Sequence, residues 1–112
     1  MIEEHIKTVE KSIKMINQLS QDEHKNYNQI VRWINNKEEH LEEIQYIIYQ
    51  YFMTQRIKPV EKKNKKKYKK YIKMITTLHE MLVHSMKAKQ SLKVDNVKKL
   101  RELTEVFEKL YF

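Results

Sequence analysis

Ile44-Gln45-Tyr46-Ile47-Ile48-Tyr49-Gln50-Tyr51-Phe52-Met53 is the stretch that decides how this chain folds. Eight of its ten residues are apolar or aromatic. Advanced at about 100° per residue they cover every side of a helix, whereas a surface helix keeps one apolar stripe. A helix apolar all round requires neighbours all round. Just beyond it lies Lys58-Pro59-Val60-Glu61-Lys62-Lys63-Asn64-Lys65-Lys66-Lys67-Tyr68-Lys69-Lys70-Tyr71-Ile72-Lys73, with nine lysines against one glutamate. That segment carries +8, the net charge of the whole chain.

On the N-terminal side, Ile2, Ile6, Val9, Ile13 and Ile16 alternate steps of four and three, the spacing of a helical seam. Ser20 and Glu23 read as a capping box, which ends a first helix near residue 19 and starts a second at 21. The same heptad frame continues through Tyr27, Ile30, Ile34, Leu41, Ile44, Ile48 and Tyr51 without a phase slip. One unbroken helix over 2–56 would place Ser20, Glu23 and Lys37 on its seam, and these polar residues favour a break. The second helix therefore runs over 21–56. Pro59, tolerated only at the start of a helix, sets the next turn and opens a third helix over 59–90. Its stripe is Tyr68, Tyr71, Ile75, Leu78 and Leu82. A fourth helix, capped by Asp95, spans 95–111 with Leu100, Leu103, Phe107 and Leu110 on one face.

Composition agrees with this reading. The 112 residues leave room for one domain, and they contain no glycine, one proline and no cysteine. Lacking glycine, the chain lacks the usual residue of tight hairpin turns and phosphate-cradling loops. Lacking cysteine, it has neither disulfides nor thiolate metal ligands. No apolar run is long enough to span a bilayer, so a cytoplasmic protein without a membrane partner is expected. The expected fold is all-α: a four-helix up-down bundle, or a three-helix one if 2–56 is continuous, with a long coiled-coil-like central hairpin. Central helices of about 36 and 32 residues would each extend roughly 50 Å. The shorter outer pair would then form a base at one end, from which residues 39–72 project as an arm, with Glu42 and Glu43 opposite Ile72 and Lys73.

Two surfaces follow. Tyr46, Ile47, Tyr49, Phe52 and Met53 form a candidate partner-binding face, for a second copy of the chain or for another protein, because large exposed apolar patches mark interfaces. The alternative is that the same side chains make the core. Lys62, Lys63, Lys65, Lys66, Lys67, Lys69, Lys70 and Lys73 form a candidate nucleic-acid-binding face that would grip phosphates without reading sequence, the bland reading being a solvated helix face. Tyr68 and Tyr71 belong to a packing stripe, so base stacking is the weaker role for them.

Catalysis finds little footing in the pattern. His79, Glu80 and His84 miss the spacing of a helical zinc motif, in which two histidines stand four apart. His40 beside Glu39 and Glu43 reads as a surface position, and His5 and His24 as lone residues near helix ends. No catalytic residue, metal ligand or cofactor site is expected. The sequence thus points to a non-enzymatic interaction protein, working as an oligomer or as an inhibitor or modulator of a larger complex. Its lysine- and isoleucine-rich composition suggests a phage or mobile-element origin. The alternative is a sequence-independent nucleic-acid-binding protein, a small subunit of a ribonucleoprotein complex.

Overall fold

The computed structural model describes all of residues 1–112 and is all-helical. Helix α1 spans Ile2–Gln21, α2 spans Tyr27–Tyr46, α3 spans Lys65–Lys89 and α4 spans Asp95–Tyr111. Residues Ile47–Arg56 continue α2 as a π-helix. The helices pack as an up-down bundle with extents of 63 × 21 × 20 Å.

The break between α1 and α2 falls later than the Ser20–Glu23 pattern suggests. Helix α1 runs through Gln21, and Asp22 adopts an extended conformation. Asn26 then caps α2, its side-chain oxygen accepting the backbone N–H of Gln29 at 3.1 Å. This satisfies one of the donors that a helix start leaves open. The α1 seam is buried as its spacing implies, with Ile6, Val9 and Ile13 fully inaccessible. Antiparallel to it, α2 contributes Leu41 and Ile44 to the same core.

The apolar decade is accommodated by a change of helix type. In a π-helix each N–H bonds the carbonyl five residues back, widening the turn. The Ile57 N–H bonds the Phe52 carbonyl at 2.8 Å, and the Thr54 hydroxyl bonds the Tyr49 carbonyl at 2.7 Å. Ile44, Ile47, Ile48 and Phe52 are buried, whereas Tyr46, Tyr49 and Tyr51 are exposed. The decade thus has one face turned to the core and a tyrosine face turned outward.

The projecting arm of residues 39–72 is not formed. Asn17 bonds the Leu92 carbonyl, Arg101 pairs with Glu10, and Ile2 joins Phe52 and Phe107 in one core. The outer helices therefore flank the decade rather than stopping short of it. Pro59 opens no helix, because residues 57–61 have no regular secondary structure and α3 begins only at Lys65. This longer connection shifts the pairing of α2 with α3. Glu42 lies opposite Lys89, at 3.4 Å, rather than opposite Ile72 and Lys73. What extends past the bundle is the connection around Lys58–Asn64 and the first turns of α3.

Lys37, a seam residue of α2, is 2 % exposed. Its Nζ donates to the carbonyl oxygens of Ala88, Lys89 and Ser91, each at 3.1 Å. The end of α3 is thereby capped by a lysine from another helix, where a cation also suits the negative end of the helix dipole. Ser12, also buried, bonds the Thr8 carbonyl and accepts from Asn36. No buried side-chain nitrogen or oxygen lacks a partner.

Candidate functional site

The structure divides the five residues of the apolar partner face. Ile47 and Phe52 are buried, and Met53 is half-buried against the core. Phe52 meets Phe107 and Tyr111 edge-on, at centroid distances of 4.8 and 5.3 Å. α3 packs along the π segment and the α4 rings close over Phe52, so the three present nothing to a partner while the fold holds. Only Tyr46 and Tyr49 stay accessible, at 53 % and 49 %, their rings in an edge-to-face pair.

The lysines behave differently. Lys62, Lys63, Lys65, Lys66, Lys67, Lys69, Lys70 and Lys73 are all exposed. The sole ion pair among them joins Lys63 to Glu61 at 3.0 Å. Lys65, Lys66 and Lys67 also occupy the first turn of α3, where the helix dipole adds positive potential to theirs. Together they make the end of the molecule strongly electropositive, an arrangement that draws small anions toward it.

A third feature joins two residues that the sequence keeps apart. His5 of α1 and His40 of α2, 35 positions distant, bring their Nδ1 atoms to 2.8 Å. Both side chains are half-buried. One Nδ1 carries a proton and donates, and the other accepts, because two protonated nitrogens would repel. Burial lowers the pKa of His5, and the neighbouring His40 lowers it further, against the upward pull of Glu43 and Glu4. His40 also lines a cavity of about 320 Å³ whose other walls are Glu39, Glu42 and Glu43. The pairing was open to inference from the sequence: in two antiparallel helices, positions 5 and 40 lie at similar distances from the break at 22–26. By contrast, His84 bonds Asn96 through Nδ1 at 3.1 Å, and His79 is exposed.

The family model described as nickel-containing superoxide dismutase matches residues 1–112, the full length of the chain. The chain belongs to the nickel-containing superoxide dismutase family. Comparison with curated proteins and with solved structures gives no match. Membership in a family of enzymes overturns the non-enzymatic reading of the sequence. With it go the interaction-protein and modulator role, the phage attribution and the nucleic-acid-binding alternative.

A nickel centre needs converging donors. Imidazole nitrogens suit the ion, yet no three of the His, Asp or Glu side chains converge where a metal could be held. Thiolate donors are ruled out because the chain has no cysteine. The His5–His40 contact supplies two nitrogens and no third donor in place. The residues of this chain therefore do not fit a nickel centre enclosed by protein ligands.

Proposed function

We propose that the chain acts as a superoxide dismutase, in which two superoxide anions and two protons give dioxygen and hydrogen peroxide, one anion being oxidised and the other reduced. The observation that carries this reading is the family match across all 112 residues. The electrostatics support it independently. Superoxide is a small anion, and a net charge of +8 with a lysine-covered end favours its approach by long-range steering.

What this chain's own residues supply under this reading is attraction and scaffold. The lysines at 62–73 raise the local concentration of the anion, and the bundle fixes where those charges stand. A cytoplasmic location is part of the same proposal, in keeping with a chain that is 34 % charged. So is self-association through the accessible Tyr46 and Tyr49, which light-scattering mass would reveal.

The test is direct. Superoxide generated by a radiolytic pulse decays with a characteristic ultraviolet absorbance, and its decay is followed with the purified chain before and after nickel is supplied. Acceleration proportional to protein concentration, beyond that of the same nickel free in buffer, supports the proposal. Decay no faster than with free nickel ends it.

A further inference from the structure

Only two side-chain hydrogen bonds tie α1 to α2. Asn36 donates to the Ser12 hydroxyl at 3.0 Å, and the Nδ1 atoms of His5 and His40 meet at 2.8 Å. About two turns of α1 separate these ties. From Ser12 towards the start of α1, the histidine contact is therefore the one polar link to α2. It sits over the core: Ile6 and Leu41, each next to one of the histidines, are fully buried.

We infer that this contact is an acid-operated latch, closed while the histidine pair holds at most one extra proton and opened by the second. Neutral, the two rings carry one N–H each, so one Nδ1 donates and the other accepts. A first proton goes to the Nε2 of the donor ring. The contact survives that step and strengthens, because an imidazolium N–H is the better donor. A second proton has only the accepting Nδ1 left. It turns the acceptor into another donor and sets two half-buried cations face to face, so the rings part. The charges acting on His5 all stand on α1 and α2: Glu4 and the terminal amine on the first, Glu43 and His40 on the second. Glu4 is drawn to the terminal amine at 3.6 Å. Glu39, Glu42 and Glu43 wall the cavity at His40, and Lys89 of α3 engages Glu42. Burial first, then His40, outweigh the carboxylates and hold the His5 pKa below its ordinary 6.5. Stability from this group is complete above pH 6.5 and is lost as pH falls through the folded value. Opening loosens Ile2 and Ile6 from the core they share with Leu41 and Ile44, while the Ser12 tie and the turn at 22–26 hold the rest of the pair.

The latch does not depend on dismutase activity, and its test needs no turnover. Amide exchange of the full-length chain is followed by nuclear magnetic resonance at about pH 7 and about pH 5, either side of the ordinary histidine range, and corrected for intrinsic rates. Protection of amides 6–9, the first to be bonded within α1, should fall on acidification by about fivefold, the equilibrium factor of one ordinary hydrogen bond. Amides 13–20, beyond the Ser12 tie, should keep their protection. In His40→Gln, whose side chain can still bond His5 but takes up no proton, the fall should disappear. Equal protection at the two pH values in the parent chain overturns the latch. So does a fall that persists in His40→Gln, or one spread evenly over the four helices. Should that variant fail to fold, the histidine ring signals of the parent chain decide. Two well-separated protonation steps for the His5–His40 pair support the latch, and two rings that titrate independently overturn it.

Discussion

Lys37 Nζ lies 3.1 Å from the carbonyl oxygen of Ala88, a contact between residues 51 positions apart that ties the middle of α2 to the end of α3. Burial lowers the pKa of this lysine, and Glu38 opposes the shift only in part. The cost of desolvating its charge is offset by three carbonyl acceptors rather than by a carboxylate. Removing the amine leaves those carbonyls without it, and an unsatisfied buried group costs about 1–3 kcal/mol. Lys37→Met, which keeps the aliphatic stem, should therefore destabilise the fold by about 2 kcal/mol. Urea unfolding followed by circular dichroism measures this, and a change under about 0.5 kcal/mol, typical of surface substitutions, would contradict it.

The π segment makes a contrast within one short stretch. Phe52 is 6 % exposed and contacts two other aromatic rings, whereas Tyr49, three residues earlier, is 49 % exposed. Phe52→Ala should cost about 3–5 kcal/mol, the range for a buried phenylalanine. Tyr49→Ala should cost no more than about 0.5 kcal/mol. Equal effects would mean that Tyr49 is packed as fully as Phe52.

Most of the fold is readable from spacing. The α1 seam and Leu100, Leu103 and Phe107 of the α4 face are buried where a three-four alternation puts them, because an amphipathic stripe has one way to face a core. What spacing misreads is anything that depends on distant partners. The decade at 44–53 seemed too apolar to hide, yet the other helices cover Ile44, Ile47, Ile48 and Phe52, and only Tyr46, Tyr49 and Tyr51 stay exposed. Lys37 seemed to disfavour its own seam because its acceptors lie in a turn that only the tertiary fold brings near. The His5–His40 contact differs in that the break at 22–26 brings positions 5 and 40 level once α1 and α2 are taken as antiparallel. The family relationship, matched over residues 1–112, is not legible in helical spacing or composition.

Glu108 and Glu3 predict how stability varies with pH at the other end of the bundle. Burial raises the pKa of Glu108 first, and its hydrogen bond and repulsion with Glu3 raise it further; Glu105 adds to the shift, and the terminal amine opposes it. The folded chain thus holds this proton above the ordinary value of 4.5, where the unfolded chain has released it. Stability from this group is present below about pH 4.5 and is lost as pH rises through the folded value. Glu108→Gln keeps a donor for Glu3 and removes the repulsion. It should raise the urea midpoint at pH 7 slightly, by a few tenths of a kcal/mol at about surface scale, and should lose that advantage at pH 4. An advantage that grows on acidification would reverse the sign of this argument.

The lysine-covered end allows the proposed chemistry to be tested without reference to any metal ligand. If superoxide is drawn in by this charge, its capture should slow as salt screens the field, because the Debye length falls from about 10 Å at 0.1 M to about 3 Å at 1 M. Replacing Lys62, Lys63, Lys65, Lys66 and Lys67 together by glutamine removes five exposed charges, four of which lie in no ion pair. No core contact is lost, so the melting temperature should hold. The second-order rate of superoxide consumption should fall by roughly three- to tenfold at low ionic strength, a modest part of the range open to electrostatic steering. Parent and variant should converge as salt approaches molar concentration. A deficit that persists at high salt would mean that these lysines act at short range, and an unchanged rate at low salt would mean that the anion reaches its site from elsewhere on the bundle.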